Sequence, residues 1–172
     1  MLSEMTMVGS RRLAALCAAL AATMGLLAQS SSEAKLTIAG DIAQSQTLTG
    51  QDLAKMQRAS VAWSERGPKV TYQGVSLYEV LKRAGAPLDK ELSGNALASY
   101  VLAEARDGYQ ATFALAEIDP GFTDNQILVA DTADGQPLPQ TQGPLRLIVP
   151  GDKKGARAVR MLERLTVVRL RK

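Results

Sequence analysis

The sequence predicts an α+β domain: a mixed, partly barrel-like β-sheet with two or three short helices. Three observations predict it. Short apolar runs bounded by Gly, Pro and Asp turn signals dominate from residue 35 onward. Only a few brief segments carry a helical apolar stripe behind an N-cap residue. The strands and helices show no strict βαβ alternation, which argues against a doubly wound parallel sheet.

The elements follow in order. Residues 35–38 alternate polar and apolar side chains and read as a first strand. Thr49 and Asp52 form a capping box for a short helix carrying Leu53 and Met56. Residues 60–63 read as a strand, Arg66-Gly67-Pro68 as a turn, and 70–72 as a second short strand. Ser76 with Glu79 forms a cleaner capping box. The helix behind it places Leu77, Val80 and Leu81 on one face and ends at Gly85. Residues 100–105 and 109–113 flank Arg106-Asp107-Gly108, a hairpin signal. Residues 114–118 fit one helical turn before Pro120, and 126–130 read as a strand before the turn Ala133-Asp134-Gly135. Residues 145–149 form a buried strand, followed by the Pro150-Gly151 turn, a basic loop over 152–157, and a closing strand over 165–171.

Residues 1–30 have the form of an export signal. Arg11-Arg12 supply the basic start, and 13–27 is apolar or small apart from Thr23. Ala28-Gln29-Ser30 offers the cleavage site, with Ser32-Glu33-Ala34 as a second choice. The apolar run is short for a membrane span, which takes about 20 residues. An uncleaved anchor is the alternative. Cys17 lies inside the run behind Leu16, the wrong context for lipidation. The expectation is a periplasmic or secreted protein whose residues 31–172 form a single domain, with no stable membrane insertion after cleavage.

Once that leader is removed, the chain has no cysteine and no histidine. This excludes disulfides, Cys/His zinc sites, Ser-His-Asp and Cys-His catalysis, and haem ligation by His or Cys. The remaining chemistry belongs to carboxylates, hydroxyls, Tyr, Lys and Arg, or to a cofactor held without soft ligands.

The net charge of +3 conceals a strong asymmetry. Residues 144–172 carry nine Lys/Arg against two Asp/Glu; residues 31–143 carry nine against fourteen. One end of the chain suits an anion. Within it, Lys153, Lys154, Gly155, Arg157 and Arg160 are the candidate site. Glycine permits close backbone approach to an anion, and guanidinium groups bind phosphate through two parallel bonds. The bland alternative is a solvated basic turn that keeps an edge strand soluble.

Gly143-Pro144-Leu145-Arg146-Leu147-Ile148-Val149-Pro150-Gly151, then Gly155-Ala156-Arg157-Ala158-Val159-Arg160-Met161-Leu162, resembles the end of the sulfite-oxidase-like molybdopterin-binding domain. Upstream, Tyr72-Gln73-Gly74-Val75-Ser76-Leu77 resembles that domain's aromatic-x-Gly-Val-x-Leu helix start. Asp107-Gly108-Tyr109 resembles its central hairpin, and Asp134-Gly135-Gln136-Pro137-Leu138-Pro139 its Asp-Gly-x-Pro-Leu turn. The matches run in the family's order from about residue 36 to 170. The resemblance implies the same α+β fold. It also implies that the basic loop holds the phosphate and pterin of a molybdenum cofactor, with Gly155, Arg157 and Arg160 in contact with it.

Catalytic members of that family carry a molybdenum-ligating cysteine whose counterpart falls near residues 59–65. Here that stretch reads Ala59-Ser60-Val61-Ala62-Trp63-Ser64-Glu65, and Ser64 is the nearest oxygen substitute. A Ser hydroxyl is far less acidic than a thiol and is a poor anionic ligand. Trp63 could stack on a flat ring, although a lone strand Trp more often packs. Tyr109 could sit at a cleft rim, although core packing is the stronger reading. The carboxylates Asp107, Glu117, Asp119, Asp124 and Asp131 show no diagnostic pairing, so no catalytic residue and no metal ligand is assigned. The export signal and the scarcity of aromatics argue against nucleic acid.

Three functional expectations follow. The first is a non-catalytic binding module for a pterin or other small anionic ligand. The second is a molybdenum-cofactor-dependent oxidoreductase or redox subunit working with a separate electron-transfer partner. The third is an envelope interaction protein with no small ligand.

Overall fold

A computed structural model describes residues 34–170, which fall within one unit, Ser31–Lys172. The leader, its Cys17 and the first cleavage choice lie outside the described residues, as does the second apart from Ala34.

Ten strands form two sheets of five. In the first, β1 (Lys35–Gly40) pairs antiparallel with β2 (Gln46–Thr49) and parallel with β10 (Leu162–Val168). β10 then pairs antiparallel with β5 (Tyr100–Ala105), which pairs with β6 (Gln110–Ala114). In the second sheet, β3 (Arg58–Trp63) pairs with β4 (Val70–Ser76), and β4 with β7 (Leu128–Ala133). The other side of β7 is shared by β8 (Gln136–Pro137) and β9 (Arg146–Ile148). Every pairing in the second sheet is antiparallel. The α+β class holds, with the mixed sheet and two short α-helices, but neither sheet closes on itself as a barrel.

The alternation read from the sequence sets which face is buried. Leu36 and Ile38 of β1 point into the core while Lys35 points out. Val101, Ala103 and Ala105 do the same on β5, and Leu165 and Val167 on β10. Helix α2 (Leu77–Arg83) buries Leu77, Val80 and Leu81 in this core, each worth about 2 kcal/mol of transfer free energy. It stops at Gly85, whose φ of +73° suits a residue without a Cβ.

Helix α1 (Gly50–Ala54) begins with the expected capping box. The Asp52 backbone N–H donates to Thr49 Oγ1 at 3.2 Å, and the Thr49 backbone N–H donates to Asp52 Oδ2 at 2.9 Å. The box expected at Ser76 and Glu79 does not form; Ser76 makes no side-chain cap bond. Ser76 ends β4, and the Leu77 N–H donates instead to the Ile127 carbonyl at 2.9 Å. The Leu77 N–H is thus satisfied by the residue that leads into β7, while a Ser76 cap would have served the next N–H groups along the helix. The turn between β7 and β8 places Asp134 and Gly135 both at positive φ, the tight hairpin geometry their sequence signals.

The last strand also corrects an expectation. It runs over Leu162–Val168 and lies between β1 and β5, in the middle of its sheet. The basic loop before it therefore does not guard an edge strand.

Candidate functional site

The second sheet buries residues on both faces. Leu145, Leu147 and Val149 point into the main core. Ile148 points the other way, into a smaller cluster with Trp63, Tyr72, Leu128, Leu138 and Ala158. By the period of a strand, Arg146 belongs to that second face. It is 2% exposed, a buried cation.

What makes a buried guanidinium tolerable is its surroundings. Its carbon lies 5.3 Å from the Trp63 ring centroid and 5.7 Å from that of Tyr72, so two π-faces contact the charge. Nη1 donates to Gln142 Oε1 at 2.6 Å and more weakly to Tyr72 Oη at 3.4 Å. Nη2 donates to Glu65 Oε2 at 2.8 Å. Nε has no protein partner. Trp63 therefore packs in the small cluster, as a lone strand tryptophan usually does, and its face serves a cation.

Glu65 belongs to the turn between β3 and β4. Its Oε2 also accepts from Arg160 Nη2 at 2.8 Å, so two guanidiniums meet on one oxygen. Partial burial alone would raise the Glu65 carboxyl pKa. The bonds from Arg160 and Arg146 outweigh it and hold the group below the ordinary range. The Glu65 side chain lies against Gly155, where a Cβ would come within 2.6 Å of its Cγ and 2.9 Å of its Cδ. Gly155 provides close approach, and the group that approaches is a carboxylate of the same chain.

These residues border a cleft of about 290 Å³ lined by Glu65, Asp107, Tyr109, Gly155, Ala156, Ala158 and Arg160. The β5–β6 hairpin supplies one wall. Asp107 Oδ1 accepts from the Tyr109 N–H at 3.0 Å, and Tyr109 Oη donates to the Ala156 carbonyl at 2.6 Å, tying hairpin to loop. Tyr109 is half exposed at the cleft rim, which corrects the expectation that it packs in the core; its hydroxyl is held by the loop instead.

The five basic-loop candidates are distributed unevenly. Gly155 and Arg160 line the cleft. Lys153 and Lys154 are exposed on the loop and form no ion pair among the described residues. Arg157 is engaged elsewhere. Nε and Nη2 donate to the two oxygens of Asp152 at 2.9 and 2.7 Å, and Nη1 to Glu117 at 2.9 Å and to the Thr112 carbonyl at 3.3 Å. The guanidinium also lies 4.9 Å from the Phe113 ring centroid. The Asp152 bonds raise the Arg157 pKa first, against partial burial and with help from Glu117. Its contacts staple the loop to β6 and the 3-10 turn Leu115–Glu117.

Sequence reasoning missed Arg146, Glu65 and Gln142. Arg146 had a visible signal: it is the single charge inside the apolar run 145–149. Glu65 had none, because its partners lie 81 and 95 residues away.

A second cleft, of about 430 Å³, lies at the start of α2 and is lined by Gln57, Ser76, Glu79, Asp124 and Gln126 among others. It contains no basic side chain.

The donor set does not fit a thiolate-held molybdenum. Among the described residues no cysteine or histidine occurs, and no group of three potential metal-ligating side chains comes together. Ser64 Oγ donates to the Gly67 carbonyl at 2.8 Å within its own exposed turn. The space over Gly155 is taken by Glu65. Arg160 and the two free lysines retain the chemistry for a phosphate.

The fold has known counterparts. The chain aligns with the crystal structure of the sulfane dehydrogenase SoxCD from Paracoccus pantotrophus at a TM-score of 0.64 and 21% identity. That alignment covers 82% of this chain and 39% of the other, so this protein spans well under half of its structural neighbour. No curated protein sequence matches. The model of the oxidoreductase molybdopterin binding domain matches residues 58–172. That span includes both sides of the Glu65–Arg160 cleft and the whole basic loop, and the chain belongs to the oxidoreductase molybdopterin binding domain family.

Proposed function

We propose that this protein is a non-catalytic binding module that holds a small anionic ligand, a pterin phosphate or similar phosphomonoester, in the cleft between the 64–68 turn and the 152–160 loop. The observation that carries the reading is the meeting of Arg146 and Arg160 on Glu65 Oε2: the cleft already contains a formed anion position. Arg160, Gly155 and the unpaired Lys153 and Lys154 supply the approach to it. The family's usual ligand contains a phosphate, which these groups suit. The absence of a thiolate donor in the described residues favours binding over redox turnover.

Calorimetric titration of the purified protein with a pterin phosphate and with phenyl phosphate tests the reading. Saturable binding that Arg160→Ala weakens roughly tenfold or more supports it, since a charge-assisted bond is worth about 1.5–3 kcal/mol. Binding that is indifferent to Arg160 counts against it.

Family membership also keeps an oxidoreductase or redox subunit in view. In that reading molybdenum copurifies with protein from its native host, and Ser64→Ala removes it. We further propose export to the periplasm or medium through residues 1–30. Intact mass of the envelope-purified protein checks this, and a mass that retains the leader refutes the cleavage.

A further inference from the structure

We propose that Glu65 is a tethered internal competitor for the anion position, and that it sets the ligand class by rejecting monocarboxylates and yielding to dianionic phosphomonoesters. The proposal rests on the anion-site reading above and adds the residue that governs its selectivity.

The two sides of the contact are built differently. Arg146 is fixed without Glu65. It is 2% exposed, sits against two aromatic rings, and donates to Gln142 at 2.6 Å. Glu65 is about a third exposed, on a turn, and its side chain bonds to Arg146 and Arg160. Arg146 is the preorganised part, and the carboxylate is the part free to leave.

The place Glu65 occupies is also set by its neighbour. Its Cγ and Cδ fill the space a side chain at position 155 would need, at 2.6 and 2.9 Å. Only a glycine there lets the carboxylate lie across the loop. Withdrawal of Glu65 therefore opens the loop backbone and frees one bond from each guanidinium together.

An incoming anion must replace both bonds, because a buried Arg146 left without its carboxylate is costly. A carboxylate held by a short covalent tether acts at an effective concentration on the order of millimolar. A free monocarboxylate gives back the same bonds at best, so it does not displace Glu65 at micromolar concentration. A phosphomonoester brings about two negative charges and three acceptor oxygens, enough to serve Arg160 and Arg146 with an acceptor to spare.

The test is titration of phenyl phosphate and of acetate into the wild type, Glu65→Gln and Arg160→Ala. Glutamine keeps an acceptor oxygen for Arg146, and a thermal melt confirms that the variant folds. The expected result is micromolar to millimolar phenyl phosphate binding in the wild type, roughly tenfold tighter in Glu65→Gln, with acetate binding appearing only in that variant. Glu65→Asp, one methylene shorter, serves if glutamine prevents folding; it is expected to fall between the two. Equal phenyl phosphate affinity in the wild type and the Glu65 variant overturns the competitor role and leaves the anion site standing. No binding to either folded protein overturns the anion site as well.

Discussion

Arg146 and Trp63 form a cation–π pair 5.3 Å apart in a second, smaller core on the outer face of a sheet. A strand only three residues long thus places a buried charge behind Glu65, where aromatic faces and that carboxylate replace its lost hydration.

Removing that charge should be expensive. Arg146→Ala leaves a gap beneath Trp63 and Tyr72 and frees Glu65 from one partner. Breaking a buried pair this way costs about 3 kcal/mol. Urea unfolding should show the midpoint fall with little change in slope. A loss under about 1 kcal/mol would mean the small core repacks around alanine.

Arg157 and Arg160 should separate cleanly. Arg157→Ala removes the contacts with Asp152 and Glu117, so stability should fall by about 1–2 kcal/mol. Arg160 is half exposed, and its alanine variant should stay within about 0.5 kcal/mol of the wild type while losing anion affinity. The reverse ranking in thermal melts would show that the loop is held from its other end.

Gly74→Ala should be among the most damaging single changes. A Cβ at that position would lie 2.0 Å from the Val129 carbonyl oxygen and 2.7 Å from the Ala130 Cα, both backbone atoms of the paired strand. The ladder between β4 and β7 must part to admit it, at about 3 kcal/mol or more. Expression as soluble protein, followed by chemical denaturation, measures it.

Acid should weaken the fold through Glu65. Its folded pKa lies below the ordinary value of 4.5, so the unfolded chain takes up the proton first as pH falls. The stabilisation is complete above pH 4.5 and disappears as pH drops through the lowered folded value. Asp52 and Asp89 are shifted in the same direction, by Thr49 and by Tyr78 and Lys82. Glu65→Gln should lack its share of this slope, so its melting temperature should fall less between about pH 5 and about pH 3. Parallel profiles for the two proteins would contradict it.

Much of the fold was legible because local chemistry and global packing agree. Thr49 with Asp52, the stripe Leu77, Val80 and Leu81, and the Asp134-Gly135 turn each have a short-range cause, and each appears in place. The capping box expected at Ser76 does not form: Ser76 is the last residue of β4, paired with Leu128 of β7, and no local pattern reports that pairing. Strand β2 escaped notice because Gln46–Thr49 has Leu48 as its single apolar residue and gains its order by pairing with β1.

The site was legible in outline only. Charge clustering located the loop and Gly155, but could not rank its arginines. Arg157 and Arg160 look equivalent in sequence; one meets two carboxylates and a Phe ring, the other meets the cleft. Their difference lies in Glu117, Asp152 and Glu65, which reach them only after the sheets form.

The position of β10 has a consequence for the order of assembly during synthesis. It follows every other strand in the chain, yet it is the partner of both β1 and β5. Until residues 162–168 leave the ribosome, the hairpins β1–β2 and β5–β6 have no strand to join them, and each exposes an unpaired edge. The α2 helix and the second sheet can form earlier from residues 58–148, but the first sheet cannot. A nascent chain stalled before residue 162 should therefore be protease-sensitive in residues 35–49 and 100–114, and a good client for a holdase chaperone.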